Sequence, residues 1–124
     1  VKLTLDTGHM LFANGDSINI LKNFGERVIH IHCKDMRKKI LDISLKNDLS
    51  FREAFLKGAF TVPGDGCINY HPLFKILKDN NYSGWLVVEA EQDPIKANPF
   101  EYAKIGFNYL TNELRKVGIQ FSSQ

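Results

Sequence analysis

Val28-Ile29-His30-Ile31-His32-Cys33-Lys34-Asp35 is an apolar run that carries two imidazoles and then breaks into charge. A short apolar run of this kind predicts a buried strand. Successive side chains of a strand point to opposite faces, so His30, His32 and Lys34 share one face while Ile29, Ile31 and Cys33 share the other. The second face is expected to be core and the first to carry chemistry.

Two further stretches have the same design. Lys2-Leu3-Thr4-Leu5-Asp6-Thr7-Gly8-His9 and Trp85-Leu86-Val87-Val88-Glu89-Ala90-Glu91-Gln92-Asp93 both place apolar residues first and ionisable ones at the carboxyl end. In barrels and open sheets of parallel strands, the ligand site gathers beyond the carboxyl ends of the strands. Asp6, His32 and Glu89 are therefore expected to converge.

Helical patterns separate these strands. Asn14-Gly15-Asp16-Ser17 supplies turn and N-cap chemistry for a helix with Ile18, Leu21 and Phe24 on its apolar face, ending at Gly25. Strand, helix and next strand then form a right-handed crossover with parallel strands. Lys34 to Leu49 has no clean period and reads as a long loop over the carboxyl ends. Ser50 caps a short helix through Leu56, stopped by Gly58. Thr61-Val62-Pro63-Gly64-Asp65-Gly66 predicts a tight turn that allows close backbone approach to a ligand. Pro72 opens a helix bearing Leu73, Phe74, Ile76 and Leu77. Asn98-Pro99 opens the last one, expected to bury Phe100, Ala103, Phe107, Leu110, Leu114 and Val117.

Three parallel strands alternating with helices make an α/β arrangement, and an all-parallel sheet is normally covered on both faces or closed into a barrel. Residues 1–124 therefore read as part of one domain, the second half of a larger sheet. The 44% hydrophobic content of the 124 residues is enough for one core. The net charge of +2, with lysines dispersed among acids, offers no basic stripe for nucleic acid or a membrane surface. The densest cationic stretch, Lys34, Arg37, Lys38 and Lys39, reads as a solvated loop able to contact an anionic group. Cys33 and Cys67 lack CxxC spacing and are expected to be reduced, structural thiols, which together with the lack of a bilayer-length apolar run points to the cytoplasm.

One imidazole with several carboxylates suits a divalent ion such as Mn²⁺ or Co²⁺. Asp6, His32 and Glu89 give that set, although an aspartate ending a strand is commonly a turn former and a lone strand histidine a satisfied core residue. His9, three residues after Asp6, is placed to bind substrate oxygen or to move a proton near neutral pH. Glu89 and Glu91 resemble paired carboxylates for acid and base work. Lys34 offers a cation to an enolate or hydroxyl, against the commoner case of a lysine snorkelling to solvent. His30 lies deeper and reads as a packed residue or as a support behind His32. His9, Lys34 and Arg37 are the candidate substrate contacts.

The succession Asp6-Thr7-Gly8-His9, His30-Ile31-His32-Cys33-Lys34-Asp35, Phe60-Thr61-Val62-Pro63-Gly64-Asp65-Gly66 and Glu89-Ala90-Glu91-Gln92-Asp93-Pro94 closely resembles the myo-inosose-2 dehydratase family of xylose-isomerase-like TIM barrels. Lys96-Ala97-Asn98-Pro99 and Glu101-Tyr102-Ala103 continue the likeness, which runs from about Leu3 to Leu110. The resemblance implies the carboxyl-terminal part of a (β/α)8 barrel. It also implies a metal-dependent lyase that removes water from 2-keto-myo-inositol, a small cyclic polyol ketone, to give a trihydroxycyclohexane-dione. By the same resemblance Asp6, His32 and Glu89 are three of four ligands of Mn²⁺ or Co²⁺, the fourth being a glutamate of an earlier strand outside these residues. Glu89 or that glutamate is the implied base, with His9 or Glu91 assisting the leaving hydroxyl. Competing readings are a sugar epimerase or isomerase of the same superfamily, and a catalytically inactive half-barrel that forms a homo-oligomer through its sheet edge. A DNA-repair nuclease of this barrel type is disfavoured by the near-neutral charge.

Overall fold

A computed structural model describes residues 1–122. The chain runs β1 (Leu3–Asp6), α1 (Thr7–Phe12), α2 (Ser17–Phe24), β2 (Val28–Cys33), β3 (Asp35–Met36), α3 (Lys38–Lys46), α4 (Phe51–Leu56), β4 (Phe60–Thr61), α5 (Tyr70–Asp79), β5 (Trp85–Val88) and α6 (Pro99–Val117). Strands β1, β2 and β5 form one sheet in the order β1-β2-β5, both pairs parallel, while β3 and β4 pair antiparallel in a separate ribbon. The β1–α2–β2 unit is the parallel crossover expected from the sequence. Among the described residues, no helix is long and apolar enough to cross a membrane.

The main core lies between the sheet and α5–α6. Leu5, Ile31 and Cys33 from the strands meet Tyr70, Leu73, Phe74 and Leu77 of α5 and Leu110, Leu114 and Val117 of α6. A second cluster under the β3–β4 ribbon gathers Met36, Leu41, Ala54, Ala59 and Phe60.

Several local expectations are corrected. Ile29 is 49% exposed rather than core. Leu3 pairs with Val28 and Thr4 with His30, so Ile29 is an extra residue in β2. Such an irregularity shifts the alternation by one, putting Val28 in the core with Ile31 and Cys33 and turning Ile29 outward.

The expected Lys34–Leu49 loop is instead β3 followed by α3, a helix that buries only Leu41 and Ser44 and has no side-chain N-cap. A stripe that narrow leaves little periodic signal. Nor is the cationic stretch solvated throughout, because Lys34 is buried and Arg37 bonds Asp65. Helix α1 was not expected. It starts directly at the end of β1, with Asp6 accepting from the His9 N–H as its N-cap. The Ser50 cap is present as a reciprocal capping box with Glu53. Helix α5 begins at Tyr70, capped by Asn69, so Pro72 falls inside its first turn rather than before it. A proline is tolerated there because that N–H has no intrahelical partner.

Helix α6 starts with Asn98 as its cap and Pro99 in the first turn, as its sequence predicts, and it buries Leu110, Leu114 and Val117 as expected, but the first half of the expected stripe is exposed. Phe100 is 74% exposed, and Ala103 and Phe107 are also exposed. The helix approaches the sheet at Gly106, where a Cβ would stand 2.6 Å from Val88 Cγ1. Close approach at a glycine sets the contact line, so Ala103 and Phe107 line a groove of about 570 Å³ beside Trp85 and Leu86 of β5. The glycines of the 61–66 turn lie against protein rather than against the Asp6–His32–Glu89 group, Gly64 on Tyr109 and Gly66 on the Asp35 carboxyl.

Candidate metal centre

Register places the site. Asp6 pairs with His32 across β1–β2, and His32 pairs with Val87 across β2–β5, two residues before Glu89. Strand β5 ends at Val88, but the Glu89 N–H still donates to the Cys33 carbonyl at 3.3 Å. The three side chains thus meet at the carboxyl edge of the sheet, where one donor atom from each lies within 4.8 Å of the others.

Asp6 serves two purposes. Its Oδ1 accepts from the His9 N–H at 2.8 Å and caps α1, while Oδ2 faces the cluster. His32 Nδ1 lies 2.7 Å from Glu89 Oε2 and 3.6 Å from Asp6 Oδ2. Despite these short distances, Asp6 Oδ2 and Glu89 Oε2 are buried and receive no hydrogen bond of acceptable direction. Buried carboxylate oxygens without donors are costly. Two such oxygens beside an imidazole nitrogen fit a divalent cation. His30 is not in the cluster. Its ring packs edge-on against His32 with centroids 5.2 Å apart, the supporting place expected for it.

Beside the triad stands a second group. His9 reaches Asp6 Oδ2 through Nδ1 at 3.3 Å and Glu91 Oε2 through Nε2 at 2.9 Å. An aromatic wall encloses its ring, with Phe51 of α4 and Phe60 of β4 both edge-on at 5.4 and 5.6 Å. Phe51 is 43% exposed, so the wall faces the mouth of the site.

Lys34 lies between the two groups and does not snorkel to solvent, since its side chain is 0% exposed. Its Nζ sits 3.1 Å from Asp6 Oδ2, 3.1 Å from Glu91 Oε2, 3.5 Å from Glu89 Oε2 and 3.0 Å from His9 Nε2. Burial pulls its ammonium toward neutrality, yet the negative charges of Asp6 and Glu91 close to Nζ outweigh that and hold it above the ordinary lysine value. Room for the side chain comes from Gly8, where a Cβ would stand 2.7 Å from Lys34 Cγ.

No local sequence pattern reports the groups that fix the Lys34 backbone. Its N–H donates to Thr7 Oγ1 at 3.1 Å, and its carbonyl accepts from Thr7 Oγ1 at 2.6 Å and from the Tyr70 hydroxyl at 3.0 Å. Tyr70 lies 63 positions from Thr7, too far for any local spacing to report. Asp35 was also missed. Its Oδ1 accepts from the N–H groups of Met36, Cys67 and Ile68, tying β3 to the 67–68 segment.

Arg37 does not join the cluster. It donates to Asp65 Oδ2 at 2.8 Å and to the Gly58 carbonyl at 2.8 Å, and lies over the Tyr102 ring. With Tyr102, Asp93 and Lys96 it lines a separate cavity of about 540 Å³. Cys33 and Cys67 are both free, and burial raises both thiols above their ordinary value, but only Cys33 is a buried, inert structural cysteine, whereas Cys67 is exposed.

A parallel sheet with an Asp, His and Glu gathered at its carboxyl edge is the pattern of a (β/α)-barrel domain with a divalent-metal site. The chain belongs to the xylose isomerase-like TIM barrel family, which matches residues 1–113. It is similar to proteins named inosose dehydratase: 49% identical over 110 residues to that of Clostridium beijerinckii, covering 89% of this chain and 37% of the relative. The likeness to the Bacillus cereus (strain AH820) protein is 52% over 103 residues, covering 83% and 35%, and to the Bacillus licheniformis protein 48% over 117 residues, covering 94% and 39%. The chain thus spans little more than a third of the length of these relatives.

Proposed function

We propose that the chain is the carboxyl-terminal part of a metal-dependent dehydratase. The substrate is 2-keto-myo-inositol, a small cyclic polyol ketone, and the product a trihydroxycyclohexane-1,2-dione. The observation that carries the reading is the pair of donorless carboxylate oxygens beside His32 and next to the His9–Glu91 pair. The relatives' name, inosose dehydratase, supports an inosose as the substrate. The unpaired state of Cys33 and Cys67 supports a cytoplasmic place of action.

Asp6, His32 and Glu89 would hold the ion, Mn²⁺ or Co²⁺, together with a ligand from elsewhere in the barrel. When bound, such an ion supplies Lewis-acid polarisation of the substrate ketone. A carboxylate, Glu89 or the glutamate of an earlier strand, takes the proton alpha to the ketone and leaves an enolate. The enolate electrons then form a carbon–carbon double bond as the beta C–O bond breaks, its electron pair leaving with oxygen. That oxygen takes a proton from His9, which Glu91 orients through Nε2, and departs as water. The enol that remains tautomerises to the dione. Lys34, beside both carboxylates, offers positive charge to the enolate, and the Phe51–Phe60 wall gives the ring an apolar surface.

Product analysis tests this on the full-length protein supplied with 2-keto-myo-inositol and MnCl2. Formation of the dione, abolished by His32→Ala, is expected. Interconversion of keto sugars without the dione would instead identify an epimerase or isomerase and overturn the reading.

A further inference from the structure

We propose that Lys34 is the built-in countercation of the Asp6–His32–Glu89 site, competing with the divalent ion for its carboxylates and so holding ion affinity down. The inference rests on reading that cluster as a metal site. Asp6 Oδ2 and Glu89 Oε2, the oxygens without hydrogen-bond donors, are the same ones that Lys34 Nζ approaches at 3.1 and 3.5 Å. An ammonium there neutralises the acids before an ion arrives and repels the ion when it does.

Lys34 has little freedom to swing away. Its backbone is pinned on both sides by Thr7 and by Tyr70, its stem lies against Gly8, and its ammonium stands 5.8 Å from the centre of the Phe60 ring. The charge therefore stays in the site whether or not an ion is bound. It also divides the carboxylates. Glu91 Oε2 is held by Lys34 Nζ at 3.1 Å and His9 Nε2 at 2.9 Å, which keeps Glu91 with the proton-handling histidine and out of the ion's ligand set. Three acids share the site, yet only two remain for the metal.

Calorimetric titration of the chelator-treated full-length protein with MnCl2, with the bound ion followed by its paramagnetic resonance signal, tests this without substrate. Lys34→Met and Lys34→Gln are expected to bind Mn²⁺ at least ten-fold more tightly than the parent chain. Equal or weaker binding by variants with native far-UV circular dichroism overturns the role of Lys34. If either variant is unfolded without ion, MnCl2 is expected to restore its fold by replacing the lost positive charge, and failure to restore it also counts against the proposal. Absence of Mn²⁺ binding by the full-length parent protein would instead sink the metal reading itself, a distinguishable result.

Discussion

Asp35 carries a prediction whose sign and size follow from its surroundings. The residue is 1% exposed, and burial, opposed by three backbone N–H groups and reinforced by the charge of Asp65, raises its carboxyl from 3.8 to about 6. Between those two values the folded chain binds more protons at this group than the unfolded chain does. Stability contributed by Asp35 is therefore greatest at low pH and falls as pH rises through the window from about 4 to 6. With these values the linkage relation gives a loss of about 2 kcal/mol between pH 4.5 and pH 7. Asp35→Asn keeps an Oδ1 that accepts the same three N–H groups and places its amide nitrogen where Oδ2 has no hydrogen bond, but removes the titration. Urea unfolding of metal-free parent and variant, followed by circular dichroism from pH 4.5 to 7, reads the difference directly. The gap between the two is expected to shift by about 2 kcal/mol in favour of the variant as pH rises. Parallel stability curves would refute the account of Asp35 as a buried carboxylate ionised at a cost.

Other outcomes follow from the same contacts. Gly8→Ala forces a Cβ to 2.7 Å from Lys34 Cγ, and should cost about 1–3 kcal/mol in urea unfolding despite alanine's better helix propensity. Tyr70→Phe removes the hydroxyl that bonds Thr7 Oγ1 at 2.7 Å and the Lys34 carbonyl, and is expected to lower stability by about 1–2 kcal/mol. A thiol reagent at pH 8 should label the exposed Cys67 in the native chain and reach the buried Cys33 only after denaturation, which mass spectrometry of tryptic peptides will show.

Much of the site was legible because parallel strands put their carboxyl ends at one edge. Asp6, His32 and Glu89 could be aligned from three separate strand patterns, and His9 and Glu91 followed by proximity in sequence. Less legible was anything set by packing between distant segments. The commoner expectation for Lys34, snorkelling, fails because β4 brings Phe60 over it and Gly8 leaves space beneath it. Arg37, a candidate substrate contact, is held outside the cluster by Asp65 and the Gly58 carbonyl, contacts that no local pattern foretells.

Local chemistry in the sequence determined the order of the three parallel elements, the caps at Asp16, Ser50 and Asn98, and the residues at each strand end, because periodicity and capping act over a few neighbouring residues. Tertiary structure alone decided that Ile29 turns outward, that the buried stripe of α6 begins at Gly106 and leaves Phe100, Ala103 and Phe107 exposed, and that Lys34 sits among three carboxylates. Those outcomes depend on register, on the approach of one backbone to another, and on charges brought together from positions up to 57 residues beyond Lys34 at Glu91, none of which a local pattern encodes.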